Sequence, residues 1–289
     1  MATNNRKKQN FFRRGKKSET GDDQSVARQK KRIRINKMKK GIFILPSLLT
    51  LTSIFLSFYA IISAINENFV LAGALILAAA FFDGIDGKVA RLTKTTTRFG
   101  LELDSLADVI SFGVAPALLM YIWALAPYGR VGWVSAFVFV SCGALRLARF
   151  NVQSGQIDPK RFIGLPIPAA AAMIAVTVLF FHKLGLNGVH YRLPLLLLNF
   201  ALSYLMVSQV KFHAFKDLGF AKQKPFSSTV GFVLLLALIA ASPFVVPFFL
   251  LAAYVISGPV LTVTLHQRAK KRLQQAEREA ERKDVEATS

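Results

Sequence analysis

Eight apolar stretches, near 42–65, 69–91, 101–125, 132–152, 165–183, 193–211, 229–245 and 248–265, fill most of this chain. A helix needs about 20 predominantly apolar residues to cross the hydrocarbon core of a bilayer. The stretches therefore predict an all-α fold, a polytopic membrane bundle of about eight transmembrane helices. The last two are separated only by Ser242 and Pro243, with Pro247 just beyond. Their combined run is too long for one span and reads as a tight helical hairpin. Charge supports the same reading. Asp, Glu, Lys and Arg make up 18% of the residues, against about 25% in soluble domains. They crowd the two ends and a few connecting segments.

The distribution of Lys and Arg sets an expected orientation. Basic residues concentrate before residue 41, around Lys88–Arg98, Arg146–Arg161 and Lys211–Lys224, and after His266. Poorly charged loops at Asn66–Asn68, Ala126–Val131, His182–Arg192 and Pro243–Pro247 alternate with them. Eight spans put every strongly basic segment, both termini and the acidic site described next on the cytoplasmic side. The net charge of +21 is accounted for by attraction to anionic lipid headgroups, with no need for nucleic acid. Residues 1–40 form a basic arm with no apolar core of a signal peptide, and its composition predicts disorder. Residues 41–266 form the membrane domain, and 267–289 a charged tail expected to be helical. The single cysteine, Cys142, lies in an apolar stretch and reads as a small core residue.

Two of the stretches carry carboxylates where hydrocarbon should exclude them. One contains Asp83-Gly84-Ile85-Asp86-Gly87-Lys88-Val89-Ala90-Arg91, the other Gly100-Leu101-Glu102-Leu103-Asp104-Ser105-Leu106-Ala107-Asp108. Charges at membrane depth are expensive and mark function. Asp83 and Asp86 are three apart, and Asp104 and Asp108 four apart, so each pair shares a helix face. Joined by the short 92–99 connection, antiparallel helices would bring all four together near one membrane boundary. Such a cluster needs cations. Oxygen-only ligands select hard divalent ions, Mg²⁺ or Mn²⁺, and four carboxylates suit two of them, able to grip a pyrophosphate. Gly84 and Gly87 leave room for a phosphate or nucleotide beside the acids, and Gly100 is expected to permit close helix packing. Arg91, one turn beyond Gly87, can pair with a phosphate. The plainer reading is a helix interface ion-paired to Lys88, Arg91 and Arg98. Glu102 falls off the Asp104/Asp108 face and reads as a boundary residue.

The pattern Asp83-x2-Asp86-Gly87-x2-Ala90-Arg91-x8-Gly100-x3-Asp104-x3-Asp108 resembles the complete signature of the CDP-alcohol phosphotransferase family. The resemblance implies that Asp83 and Asp86 bind metal, that Asp104 bridges two ions, and that Asp108 binds the second ion and acts as general base. It implies that Gly87, Arg91 and Thr97 contact the CDP moiety. The family's Pro-Asn-x-x-Thr on the first span corresponds to Pro46-Ser47-Leu48-Leu49-Thr50. Thr50 is retained there, while Ser47 departs from the usual Asn. Thr50, Gly84, Gly87, Arg91 and Thr97 make up the expected site for CDP-diacylglycerol. The resemblance also implies a homodimer, while the compact chain and the lack of a targeting signal point to a prokaryotic cytoplasmic membrane.

Three further segments resemble the branch of that family whose acceptor is L-serine: Asp104 through Ala117, Arg146-Leu147-Ala148-Arg149-Phe150-Asn151, and Phe162 through Ala170. A serine carboxylate calls for a guanidinium, which Arg146 or Arg149 can supply, and Asn151 can help hold the amino acid. The same arginines would suit an acceptor phosphate, so glycerol 3-phosphate or an inositol phosphate is the alternative. The expected reaction is phosphatidyl transfer from CDP-diacylglycerol by single displacement, since no nucleophile suited to a covalent intermediate stands in the motif. A cation transporter would also use intramembrane acids, but along a path through the midplane rather than clustered at one face.

Overall fold

The computed structural model describes residues 47–92, 97–153, 161–213 and 225–288. The expected disordered arm lies outside them. Eight helical segments occur at the eight expected places: α1 Ser47–Ile65, α2 Phe69–Leu92, α3 Phe99–Tyr128, α4 Arg130–Gln153, α5 Ile167–Lys183, α6 Arg192–Val207, α7 Pro225–Ala241 and α8 Val245–Thr288. The result is a polytopic membrane helix bundle. Among the described residues five helices, α1 to α4 and α8, are long and apolar enough to cross a membrane. The pair formed by α5 and α6, bent by 119° through a short 3₁₀ turn, raises the number to six if taken as one span. At 17, 16 and 17 residues, α5, α6 and α7 are shorter than the roughly 20 residues of a typical crossing.

Why the bundle packs is legible on α1. Thr50, Ser53, Ser57, Ala60 and Ala64 are buried, whereas Leu48, Leu51, Phe55, Phe58 and Ile62 are exposed. Both sets repeat every three and four residues, so the helix has a small-residue inner face and a large apolar outer one. Between membrane helices small residues allow close backbone approach and polar ones supply bonds. Accordingly Ser53 Oγ donates to the Ala79 carbonyl of α2 at 3.1 Å. The large outer side chains fit the bilayer. On α2 the buried stripe Ala72, Ile76, Ala79 continues with the same spacing into Asp83 and Asp86. The acids thus occupy the core-facing stripe at the end of the helix.

Helix α3 is broken by two π segments, Val109–Val114 and Tyr121–Leu125. In each the next amide reaches back five residues, Ala115 N–H to Ile110 O and Ala126 N–H to Tyr121 O. Pro116 and Pro127 lie just past them. A proline lacks the N–H for an i→i−4 bond, and its ring clashes with the carbonyl four residues back. The ladder widens instead, which is how single turns of π-helix arise within α-helices. The first π segment begins directly after Asp108, so it sets how the acid-bearing turns face relative to buried Ser111 and Phe112.

The chain also forms a small antiparallel ladder, β1 Arg161–Ile163 with β2 Lys211–His213, in the register Arg161↔His213, Phe162↔Phe212 and Ile163↔Lys211. It replaces the expected end of the sixth stretch: α6 stops at Val207, and Ser208 turns extended at φ −62°, ψ 160°. Gly164 follows β1 at φ +81°, and a Cβ there would lie 2.5 Å from the Met206 carbonyl oxygen. Only glycine meets both demands. Helix α8 docks at two points. Phe248 stacks on Phe180 of α5 at 4.3 Å, and Gly258 receives the ring of Phe212, which a Cβ would overlap.

Candidate active site

Helices α2 and α3 bring the acids together at one end of the bundle. Carboxylate oxygens of Asp83, Asp86 and Asp104 lie within 4.8 Å of one another. Asp108 completes the group, within hydrogen-bonding reach of Asp83. All four predicted acids therefore converge. A set of oxygen ligands this close, partly buried, fits a hard divalent cation, because the charges repel unless a cation sits among them. Glu102 is exposed and stands apart.

The surrounding polar residues fix this geometry. Asp86 is only 3% exposed, and Thr50 Oγ1 donates to its Oδ2 at 2.9 Å. The Ser111 hydroxyl, from the π segment of α3, donates to the Ser53 carbonyl at 3.5 Å. With the Ser53–Ala79 bond, a polar seam joins α1, α2 and α3 directly below the acids. Thr97 is the N-cap of the helix bearing Asp104 and Asp108, its Oγ1 accepting from Gly100 N–H at 3.0 Å.

Gly100 has a different role from the one its sequence suggested. A Cβ there would meet the Thr97 hydroxyl at 3.2 Å, and no neighbouring helix is that close among the described residues. The glycine serves the cap instead of helix packing, because the cap folds the Thr97 side chain over the first turn. Gly84 is exposed, and a Cβ there would meet nothing within 4 Å. Gly87 lies on the same helix, half-buried. The side chains of Arg91 and Arg98, and the 93–96 connection, lie outside the described residues, as does Pro46. Lys88 is exposed.

On α4, Arg146 and Arg149 are both partly buried. The Arg146 guanidinium lies within electrostatic reach of Asp108 and of Tyr254 on α8. Its Nε is buried with no hydrogen-bond partner. A buried, partnerless guanidinium nitrogen is costly and belongs where an anion can be received. Asn151 is exposed, and its Nδ2 donates to Ser105 Oγ at 2.9 Å, tying the end of α4 to the acid-bearing turn of α3. Ser105, Ser111 and Tyr254 escaped the sequence reading. The first two lie inside quoted segments, but serine on a membrane helix carries no pattern of its own.

Convergent carboxylates at one end of a membrane bundle, open beside a glycine and faced by a partly buried arginine, define a membrane enzyme for phosphate-bearing substrates. Comparison with known proteins agrees. Residues 43–210 match the model of the CDP-alcohol phosphatidyltransferase family, and the chain belongs to that family. A CDP-diacylglycerol–serine O-phosphatidyltransferase of Helicobacter pylori is 45% identical over 178 residues, covering 61% of this chain and 74% of the relative. The Bacillus subtilis protein of the same name is 34% identical over 172 residues, 60% of this chain and 91% of that one. An archaetidylserine synthase of Methanothermobacter thermautotrophicus is 38% identical over 177 residues, 61% and 72% respectively.

Proposed function

We propose that the chain transfers a phosphatidyl group from CDP-diacylglycerol to L-serine, releasing CMP. The observation that carries this reading is the convergence of Asp83, Asp86, Asp104 and Asp108 opposite Arg146, in a chain similar to enzymes named for that reaction. The four carboxylates would hold two divalent ions, Mg²⁺ or Mn²⁺, which when bound supply positive charge against the pyrophosphate. Asp83 and Asp86 would serve one ion, Asp108 the other, and Asp104 both. Gly84 and Gly87 give the donor's phosphates and nucleotide access, with Thr50, Arg91 and Thr97 as the remaining donor contacts.

Asp108 is the general base. It takes the proton of the serine hydroxyl as that oxygen forms a bond to the diacylglycerol-bearing phosphorus. The bond from this phosphorus to the bridging oxygen breaks, and the electron pair leaves with CMP. The position of Asp108 between the other acids and Arg146 supports this role, because the base must reach both the donor phosphate and the acceptor. Arg146 and Arg149 receive the serine carboxylate, a pairing guanidinium geometry favours, and Asn151 stands beside them.

Both termini and the acid cluster face the cytoplasm in this reading, supported by the basic segments. The catalytic body spans 41–266, with the arm and the tail outside it, and two chains form a dimer among the membrane lipids.

The test is CMP release by purified protein given CDP-diacylglycerol, Mg²⁺ or Mn²⁺, and one acceptor at a time. Serine-dependent release, lost with EDTA and in Asp108→Asn, is the expected result. Release with glycerol 3-phosphate or an inositol phosphate alone would overturn the acceptor and leave the donor chemistry standing.

A further inference from the structure

Helix α8 lies beyond the 43–210 segment that matches the family model, yet it enters the site. Tyr254 is partly buried against the core and within electrostatic reach of the Arg146 guanidinium. Its orientation is set by its neighbours. Tyr254 and Gly258 are one helical turn apart and share a face. Gly258 is held against the Phe212 ring with no room for a Cβ. Phe212 is 2% exposed, anchored in the ladder opposite Phe162, and its ring lies 5.6 Å from that of Tyr254 at a 44° tilt. The ladder thus fixes the rotation of α8, and that rotation turns Tyr254 inward.

Among the described residues, Arg146 has neighbours on both α3 and α8. Asp108 lies toward the acids, Tyr254 toward α8, and the Nε between the ends of the side chain stays unpartnered. A long, flexible guanidinium in this setting needs something on its far side, or it collapses onto the carboxylates when no acceptor is bound.

We infer that Tyr254 is a positioning residue for Arg146, held by Phe212 and Gly258, and that through it α8 tunes affinity for the anionic group of the acceptor. This inference rests on Arg146 being the acceptor's anchor. It assigns specificity to a helix outside the matched segment, so differences in this helix would change the accepted alcohol without touching the acids.

The test uses the full chain and the CMP assay, with L-serine varied at saturating CDP-diacylglycerol and then the reverse. Tyr254→Phe keeps the ring on Phe212 and removes only the hydroxyl. Loss of one hydrogen-bonding group on a charged partner corresponds to roughly a tenfold effect. The expected result is a roughly tenfold rise in KM for serine, with KM for CDP-diacylglycerol within about twofold of wild type. Arg146→Lys should also raise the serine KM, and the double variant should be no worse than Arg146→Lys alone, because coupled residues are non-additive. An unchanged serine KM in Tyr254→Phe, with Arg146→Lys impaired, would overturn the role of Tyr254 and leave the acceptor site intact. Equal rises for both substrates would reduce Tyr254 to packing. An unimpaired Arg146→Lys would remove the acceptor-site reading itself, and the inference with it.

Discussion

Asp86 is the most enclosed of the four acids, and its bond from Thr50 ties α1 to the cluster. A partner that orients a metal ligand typically changes metal affinity 10- to 100-fold when removed. Thr50→Val should therefore raise the Mg²⁺ concentration for half-maximal activity about tenfold or more, while Thr50→Ser stays near wild type. A metal titration of CMP release checks this. If Thr50→Val raised only KM for CDP-diacylglycerol, Thr50 would act as a donor contact alone, with no part in supporting Asp86. Gly84 offers the opposite case. A Cβ there meets nothing within 4 Å, and alanine in a helix is favoured over glycine by about 1 kcal/mol. Gly84→Ala should keep or slightly raise the unfolding midpoint in detergent, yet raise KM for CDP-diacylglycerol, because the proposed approach of the donor runs through that free space. An unaltered KM would place the donor elsewhere.

At the scale of elements, the two short strands carry more than their length suggests. They close the chain between α4 and α5 onto the end of α6, with Gly164 N–H donating to Val210 O at 2.9 Å and Leu165 N–H to Leu205 O at 3.0 Å. Gly164→Ala meets both a positive φ and the Met206 carbonyl, and strain of this kind costs about 1–3 kcal/mol. Thermal unfolding in detergent should show a lower midpoint than wild type. Because the ladder holds Phe212 against Gly258, residual folded protein should also bind serine less tightly. A destabilised variant with unchanged serine KM would separate the ladder from the site. The π segments of α3 follow the same logic, since Pro116 and Pro127 decide where the backbone ladder widens. Pro116 is buried, and its effect is felt one turn earlier, at Phe112 in the π segment that follows Asp108.

For the whole molecule the open count is of crossings. If α5, α6 and α7 each cross, eight spans place both termini on one side, as the basic segments predict. If the bent pair of α5 and α6 makes one crossing and α7 another, seven place them on opposite sides. Protease accessibility of tags at either end, in sealed inside-out vesicles, should cleave both. Protection of one end would favour the broken span. Helix α8 continues as one helix from Val245 to Thr288, well past its apolar part ending near Thr264. Removing residues 267–289 should leave serine-dependent CMP release within about twofold of wild type, since Tyr254 and Gly258 lie upstream of the cut; a CMP assay on the truncated chain decides it.

Hydrophobic length and the spacing of four aspartates determined the membrane bundle, the places of its eight helices and the acid-bearing face, because span length and helical periodicity are local properties of a chain. Which acids touch, the Thr50–Asp86 bond, the Asn151–Ser105 tie and the inward turn of Tyr254 were decided only by tertiary structure. The last three join residues between 36 and about 110 positions apart in sequence. The ladder was also hidden, since three-residue strands are too short to show a period. Gly100 shows the same limit from the other side: its sequence permits close packing, and the fold uses its small size to seat a cap.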